Sequence, residues 1–374
     1  MFTTILTFLI ILSLLVFVHE LGHFLMARKM GMKVEEFGFG FPPRMKGYRP
    51  KGSDTIYSVN WIPLGGFVRI KGESGEHKGD KDSFASKKAW QRFLVLIAGV
   101  TMNILLALVL MSVGFMVGMP SVIDDTLPGS AHVEDQHIYI THVLEGSPAA
   151  AVGLVAGDEF ISINGEKFDQ DQGVRTFIDE HNNDKFSLVV KNASDELVSH
   201  ELSVGELEGY DKKGLGVAFV TSGLVSYGLV DSVVQGTAFT LQLTRDIFFA
   251  FVDIIVNLVS GKGPGVELSG PVGIAVITGE VAALGFIHLL QFTALLSINL
   301  AIINVLPFPA LDGGRILFLA IEKIKGGAVN EKIEIFVHNM GFLLLMLLVV
   351  LVTYRDFVTF GDRILGGLSK IISG

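Results

Sequence analysis

The sequence contains no cysteine. That excludes a disulfide framework and thiolate metal sites, and leaves the redox compartment open. Charge is scarce as well: 18% of the 374 residues are Asp, Glu, Lys or Arg, against about 25% in ordinary soluble domains. The net charge of −9 argues against a nucleic-acid partner. No internal repeat and no low-complexity linker interrupts the chain. Apolar side chains fill the gap, at 50% of residues. That is enough for several membrane spans plus one soluble domain.

Residues 2–27 form the first long apolar run. It lacks the basic start and small-residue cleavage site of a secretory signal peptide, and it carries His19, Glu20 and His23. A membrane helix over 1–30 is the better reading. Residues 31–92 are basic and rich in glycine and aromatics. Phe37-Gly-Phe-Gly-Phe41 alternates as a strand does, and 57–62 and 65–70 read as further strand and turn. A second span is expected over 93–119. Residues 127–222 turn acidic, with short β-like runs at 138–144, 159–163, 186–190 and 215–220 and a turn signal at Asn164-Gly165. They predict a soluble α/β domain. The acidic pair Asp124-Asp125 reads as a solvated face. A third span over 285–315 contains Pro307 and Pro309, and a fourth covers 336–360.

The stretch 235–284 is ambiguous. Gln242, Asp246, Asp253 and Asn257 recur at helical spacing, as one polar stripe. Such a helix either lies in the membrane interface or crosses as a span with its polar face inward. Charge discriminates between the two. From Arg28 to Arg92 there are 14 Lys/Arg against 7 Asp/Glu; from 120 to 285 there are 8 against 24. Basic short loops stay cytoplasmic. That places 28–92 and the basic 315–332 inside, and the acidic region outside. Four spans satisfy this with 235–260 interfacial. A fifth span would put Asp312 on the opposite face from His19 and His23.

His19-Glu20-Leu-Gly-His23 is the chemical centre. Residues four apart on a helix share a face about 6 Å along the axis, so two imidazoles can bind one Zn²⁺ while Glu20 acts as base on water. The blander reading is polar packing inside a bundle. Against it stands the cost of ionisable groups in a span, roughly 2.5–3.5 kcal/mol for a central Asp, Lys or Arg, which a divalent cation offsets. A catalytic zinc takes three protein ligands and keeps an open position. Asp312 is the candidate third ligand, with Glu322 a weaker one deeper in the basic loop. Pro307, Pro309, Gly313 and Gly314 around Asp312 break the helix and permit close backbone approach. The remaining histidines (His132, His137, His142, His181, His200, His288 and His338) lack metal-ligand spacing and read as solvated or structural.

These two motifs together resemble those of a bacterial member of the site-2 protease family of intramembrane zinc metalloproteases, over nearly the whole chain. The family's His-Glu-x-x-His matches His19, Glu20 and His23. Its Asn-x-x-Pro-x-Pro-x-Leu-Asp-Gly matches Asn304, Pro307, Pro309, Leu311, Asp312 and Gly313. The resemblance implies one zinc held by His19, His23 and Asp312, with Glu20 as catalytic base. It also implies substrate contacts at Asn299, Asn304, Pro307 and Pro309, and a membrane-dipping Gly38-Phe39-Gly40 hairpin. The segment Gly146–Asp158 followed by Ile161-Ser-Ile-Asn-Gly165 resembles a PDZ domain, which in this family lies outside the membrane and is suggested to filter substrates by size. The run 270–274 resembles a family segment expected to re-enter the membrane core.

The fold class expected is therefore a polytopic α-helical membrane protein of about four spans, with a β-hairpin region and one extracytoplasmic PDZ-like domain. The expected function is intramembrane proteolysis of single-span membrane proteins after a first extracytoplasmic cut, such as anti-sigma factors or signal-peptide remnants, at the bacterial cytoplasmic (inner) membrane. Its partners are then the lipid bilayer and transmembrane protein or peptide substrates. An exposed strand edge at 37–41 or 65–70 suits an extended substrate by β-addition; an ordinary cytoplasmic hairpin fits the sequence as well. Two alternatives remain: a non-catalytic scaffold binding partners through the PDZ-like domain, and a transporter using the polar span residues as an ion path.

Overall fold

A computed structural model describes residues 2–372 except 74, 125–126, 182–184, 193, 208–212, 264–268 and 328. Asp125 of the acidic pair and part of the 235–284 stretch therefore lie outside the described residues. The chain divides into two units, Met1–Val113 with Val233–Gly374, and Gly114–Ser232.

The first unit begins with α1 (Phe2–Lys29), a helix without acidic residues in its first turn and closed by Arg28 and Lys29. Basic side chains at a helix C-terminus complement its dipole. Two long strands follow, β1 (Val34–Tyr48) and β2 (Ile56–Ile70). Both bend, so that Phe37, Gly38 and Phe39 face Val68, Phe67 and Gly66 on one edge and Tyr57, Ser58 and Val59 on the other. Tyr57–Asn60 is flanked again by the 44–48 run. The hairpin docks on α1 through aromatic contacts: Phe24 stacks on Phe37 at 4.6 Å, and Phe17 meets Phe37 and Phe39 at 5.3 and 6.1 Å. Beyond the hairpin comes α2 (Ala89–Val117).

In the second unit, β3 (Met119–Val122), β4 (His132–Val143), α3 (Pro148–Ala151), β5 (Glu159–Ile163), α4 (Asp171–Glu180), β6 (Lys185–Lys191), β7 (Leu197–Ser203), β8 (Gly205–Glu206), β9 (Lys213–Gly214) and β10 (Val217–Ser226) follow in order. Six of the strands form one sheet, in the order β3-β10-β4-β5-β6-β7. Its apolar face buries Ile138, Ile140, Phe160, Phe186, Leu188 and Phe219 against Val174 of α4, the alternation expected of a half-buried sheet. Ser147 caps α3 by accepting from the Ala150 N–H at 3.2 Å. Asn164 and Gly165 both take positive φ, 50° and 86°, as a tight hairpin turn requires. The sheet reaches past 127–222 at both ends, because Met119–Val122 pairs with Ser222–Val225. The sequence pattern also missed β7, whose alternation is diluted by polar residues on its exposed side.

The chain returns to the first unit through α5 (Leu229–Val259), α6 (Pro271–Ala283), α7 (Phe286–Val305), α8 (Asp312–Lys325) and α9 (Glu331–Ile372). The 285–315 segment is thus not one helix. α7 stops at Val305 and α8 starts at Asp312, since neither Pro307 nor Pro309 offers an N–H to a helical ladder. Among the described residues, four helices, Thr3–Lys29, Ala89–Val117, Phe286–Val305 and Lys332–Gly361, are long and apolar enough to cross a membrane. α5 is not among them. Its Gly236 sits on Ser112 of α2, where an added Cβ would come within 2.7 Å of the backbone. Two apolar grooves of about 300 and 330 Å³ separate its next turns from α2 and α7. Gln242, Asp246 and Asp253 of its polar stripe are exposed.

Among these elements the β4–β5 pairing carries a titratable lock. His137 hydrogen-bonds Glu159 at 2.6 Å and Asp135 at 3.0 Å, and Glu159 also meets Lys191 at 3.8 Å. Burial alone would lower the imidazole pKa; the hydrogen bonds and negative charges of Asp135 and Glu159 outweigh it and raise it. A pKa raised in the folded state gives stability that is full below the unfolded value, about 6.5, and fades as pH climbs through the raised value. Amide exchange at Ile138 and Tyr139, followed by mass spectrometry, should therefore show protection over His137→Gln at pH 6. The difference should shrink by pH 9; a pH-independent difference contradicts the assignment.

Candidate metal centre

His19 and His23 project from one face of α1 and are both buried. Glycine makes room for them. An added Cβ on Gly22 would come within 2.7 Å of the Ala98 carbonyl carbon and 2.8 Å of Met102 Cγ, so α1 and α2 touch backbone to backbone. On α2, Gly99 faces the rings: a Cβ there would lie 2.7 and 2.8 Å from Cε1 and Nε2 of His19 and closer still to Nε2 of His23. The His23 Nδ1–H donates to the Val95 carbonyl at 2.8 Å. That bond fixes the neutral tautomer and leaves a lone pair on Nε2.

Asp312 arrives from the other end of the chain. The turn between α7 and α8 folds tightly on itself: a Cβ on Gly314 would stand 2.9 Å from the Phe308 carbonyl carbon, and one on Gly313 would collide with the Val305 and Leu306 carbonyls. Only glycine permits that approach. The turn delivers Asp312 Oδ2 to 3.0 Å from His19 Nε2 and 3.2 Å from His23 Nε2, while the two Nε2 atoms lie 3.1 Å apart.

This donor set fits a zinc ion. Three atoms with lone pairs converge in a site where the His and Asp side chains are 8–18% exposed. Atoms this close are held either by a shared proton or by a cation, and two imidazoles plus one carboxylate are the donor set of a catalytic zinc site with one position open. Among the described residues these are the only three His or acidic side chains so grouped. Glu322 is not part of it; its carboxylate accepts from Arg92 at 2.6 Å.

Glu20 Oε2 accepts from the backbone N–H of Val68 at 3.1 Å. Val68 belongs to β2, so the carboxylate between His19 and His23 touches a strand. That contact lies on the edge of 66–70 that has no strand partner among the described residues. Phe37–Phe39 is paired on both sides and cannot add a further strand, whereas 66–70 keeps an outer edge toward α1. Gly38 is enclosed between Phe67, Ser58 and Asn60. Phe39 is partly exposed, and the Gly40 carbonyl accepts from the Asn60 amide at 2.9 Å. Asn299 donates to the Leu295 carbonyl of its own helix at 3.0 Å. Asn304 is half-buried on α7, Pro307 is exposed, and Pro309 packs on Gly341 of α9. Sequence reasoning missed Gly99, Val95, Val68 and the ion pair of Arg315 with Glu73. Only Gly99 left a signal, as a glycine within a span of large apolar residues.

Residues 7–348 match the sequence pattern of Peptidase family M50. The chain belongs to that family, the site-2 proteases. It is similar to the regulator of sigma-W protease RasP of Bacillus subtilis, at 30% identity covering 94% of this chain and 98% of that protein. It is similar also to the zinc metalloprotease RasP of Geobacillus kaustophilus, at 30% identity covering 96% and 98%. The solved PDZ domain of an SdrC-like protein from Listeria monocytogenes aligns at 24% identity and a TM-score of 0.21, over 24% of this chain and 92% of its own. Family membership and four apolar helices make this a membrane protein.

Gly99→Ala should push the two imidazoles off the Asp312 oxygen. Zinc measured by atomic absorption in the purified protein should fall well below stoichiometric. Gly79→Ala, where no neighbour lies within 4 Å, should leave it unchanged. Equal zinc in both variants would contradict the packing described.

Proposed function

We propose that this protein is an intramembrane zinc metalloprotease that cleaves single-span membrane proteins already shortened outside the membrane, such as anti-sigma factors or signal-peptide remnants. The carrying observation is the meeting of His19, His23 and Asp312 oxygen and nitrogen atoms within 3.2 Å, in a family of peptidases. The sigma-W connection in the Bacillus relative's name supports the substrate class.

When bound, zinc supplies a Lewis acid that eases deprotonation of water and polarises a peptide carbonyl. His19, His23 and Asp312 hold it. Glu20 takes the proton of the attacking water and delivers it to the leaving amine nitrogen. A substrate helix hides its peptide bonds in its own ladder and must first be extended. The outer edge of 66–70 suits such a segment by strand addition. The Val68 N–H then finds a substrate carbonyl where it now finds Glu20, which frees the carboxylate for the water. Phe39 and the exposed Phe41, Met45 and Trp61 give the hairpin an apolar tip suited to dipping into lipid.

We read the four apolar helices as spans with the active site toward the cytoplasm and α5 as an amphipathic helix beside them. The second unit is then PDZ-like and extracytoplasmic. Its Gly214–Phe219 run and α4 line a groove of about 390 Å³, crossed by Arg175 donating to the Phe219 carbonyl at 2.7 Å.

Glu20→Gln tests the chemistry. Cleavage of a model transmembrane substrate should drop by about 10²–10⁴-fold, the range for losing a general base, with bound zinc unchanged. A parent protein that cleaves nothing supports a scaffold instead, and solute flux without stoichiometric zinc supports a transporter. The absence of native cysteine makes a topology test clean. Single cysteines at Lys167 and Lys262 should both react with an impermeant maleimide from outside intact cells, and one at Lys51 only after lysis. Protection of Lys262 alongside Lys51 would make α5 a span and sink the four-span arrangement.

A further inference from the structure

His338 lies on α9, away from the metal-binding motifs in sequence, and nothing in its spacing marks it. Its Nδ1 nevertheless accepts a hydrogen bond from the backbone N–H of Ala310 at 2.9 Å. Because that N–H donates, Nδ1 carries the lone pair and the ring's proton sits on Nε2. Ala310 holds φ at 79°, the left-handed region that an L-residue other than glycine adopts only where its surroundings impose it. Two further contacts belong to the same seat. The His338 ring packs on Phe318 of α8 at 5.4 Å. One turn along α9, a Cβ on Gly341 would stand 2.6 Å from the Pro309 carbonyl oxygen and 2.7 Å from its carbon. His338 and Gly341 are three apart and share a helix face. That face holds Pro309 and Ala310 from outside, while Gly313 and Gly314 hold the turn from within.

We infer that His338 is a positioning residue for Asp312: its imidazole anchors the Ala310 N–H and thereby sets the turn that aims the Asp312 carboxylate at His19 and His23. The inference rests on Asp312 being a metal ligand. The physical reason is one of constraint. Asp312 begins a new helix two residues beyond Ala310, with no side-chain cap at Leu311, so the direction of its carboxylate follows the backbone of the turn. A turn with a positive-φ alanine relaxes unless something holds it, and the bond from α9 supplies the hold. A chain segment far from the motif thus becomes part of the geometry of the ligand.

The test uses the full-length protein in detergent, with zinc affinity measured by chelator competition and kcat and KM measured on a model transmembrane substrate. His338→Ala should lower zinc affinity and kcat by about 10–100-fold, the range for losing a group that orients a metal ligand, with KM little changed. His338→Asn, whose amide oxygen can take the place of Nδ1, should recover most of that loss. His338→Phe keeps an aromatic ring against Phe318 but offers no acceptor, and should recover none. Thermal unfolding of the Asn and Phe variants separates a misplaced ligand from a damaged bundle. Parent-like zinc affinity in the Phe variant would overturn the inference, and so would an Asn variant no better than Phe. A parent chain that binds no zinc would instead overturn the metal site itself.

Discussion

Everything in the helical unit is arranged so that two imidazole nitrogens and one carboxylate oxygen can stand within 3.2 Å of each other. In a low-dielectric interior that arrangement is repulsive or hungry for a cation, and the helices must resist its tendency to spring apart. They resist by contact at glycine. Gly22 brings α1 onto α2, Gly99 opens a slot for the rings, and Gly313 and Gly314 let the α7–α8 turn fold back on itself. Packing at small residues is the usual route to helix association where lipid removes the hydrophobic drive between helices. Here it also sets the size of the pocket in which the two imidazoles and the carboxylate meet.

The hairpin extends this economy outward. Enclosing Phe37–Phe39 on both sides leaves the 66–70 run as the inner strand with an outer edge, and α1 is what borders that edge. A single hydrogen bond from Val68 to Glu20 ties strand to helix at the point where chemistry is proposed. Phe17, Phe24 and Phe37 pack the two elements together through their rings. His19, Glu20 and His23 all lie on α1, so the hairpin reaches the proposed site through Glu20.

The sequence made part of this legible for physical reasons. A helix of period 3.6 is so regular that His19 and His23 can be put on one face from spacing alone, and the cost of charge in a span makes a cation the economical explanation. Asp312 was legible because prolines and paired glycines announce an interrupted helix. What stayed hidden depends on approach between segments distant in the chain. Gly99 lies 76 positions from His23 and His338 lies 28 from Ala310, and no local pattern encodes such meetings. The bending of β1 and β2 was hidden too, because alternation reports which face a residue takes but not which neighbour its edge finds. The second unit reads as domain from its acidic composition, yet β3 at its border carried no strand signal of its own and is defined by its partner β10.

That border has a mechanical meaning. Met119–Val122 and Ser222–Val225 lie side by side as rungs of one ladder, so the polypeptide enters and leaves the second unit through the same doorway. Such a domain is an insertion with a clamped stem: its interior can lengthen, shrink or be exchanged over evolutionary time without moving the ends of the helices that flank it.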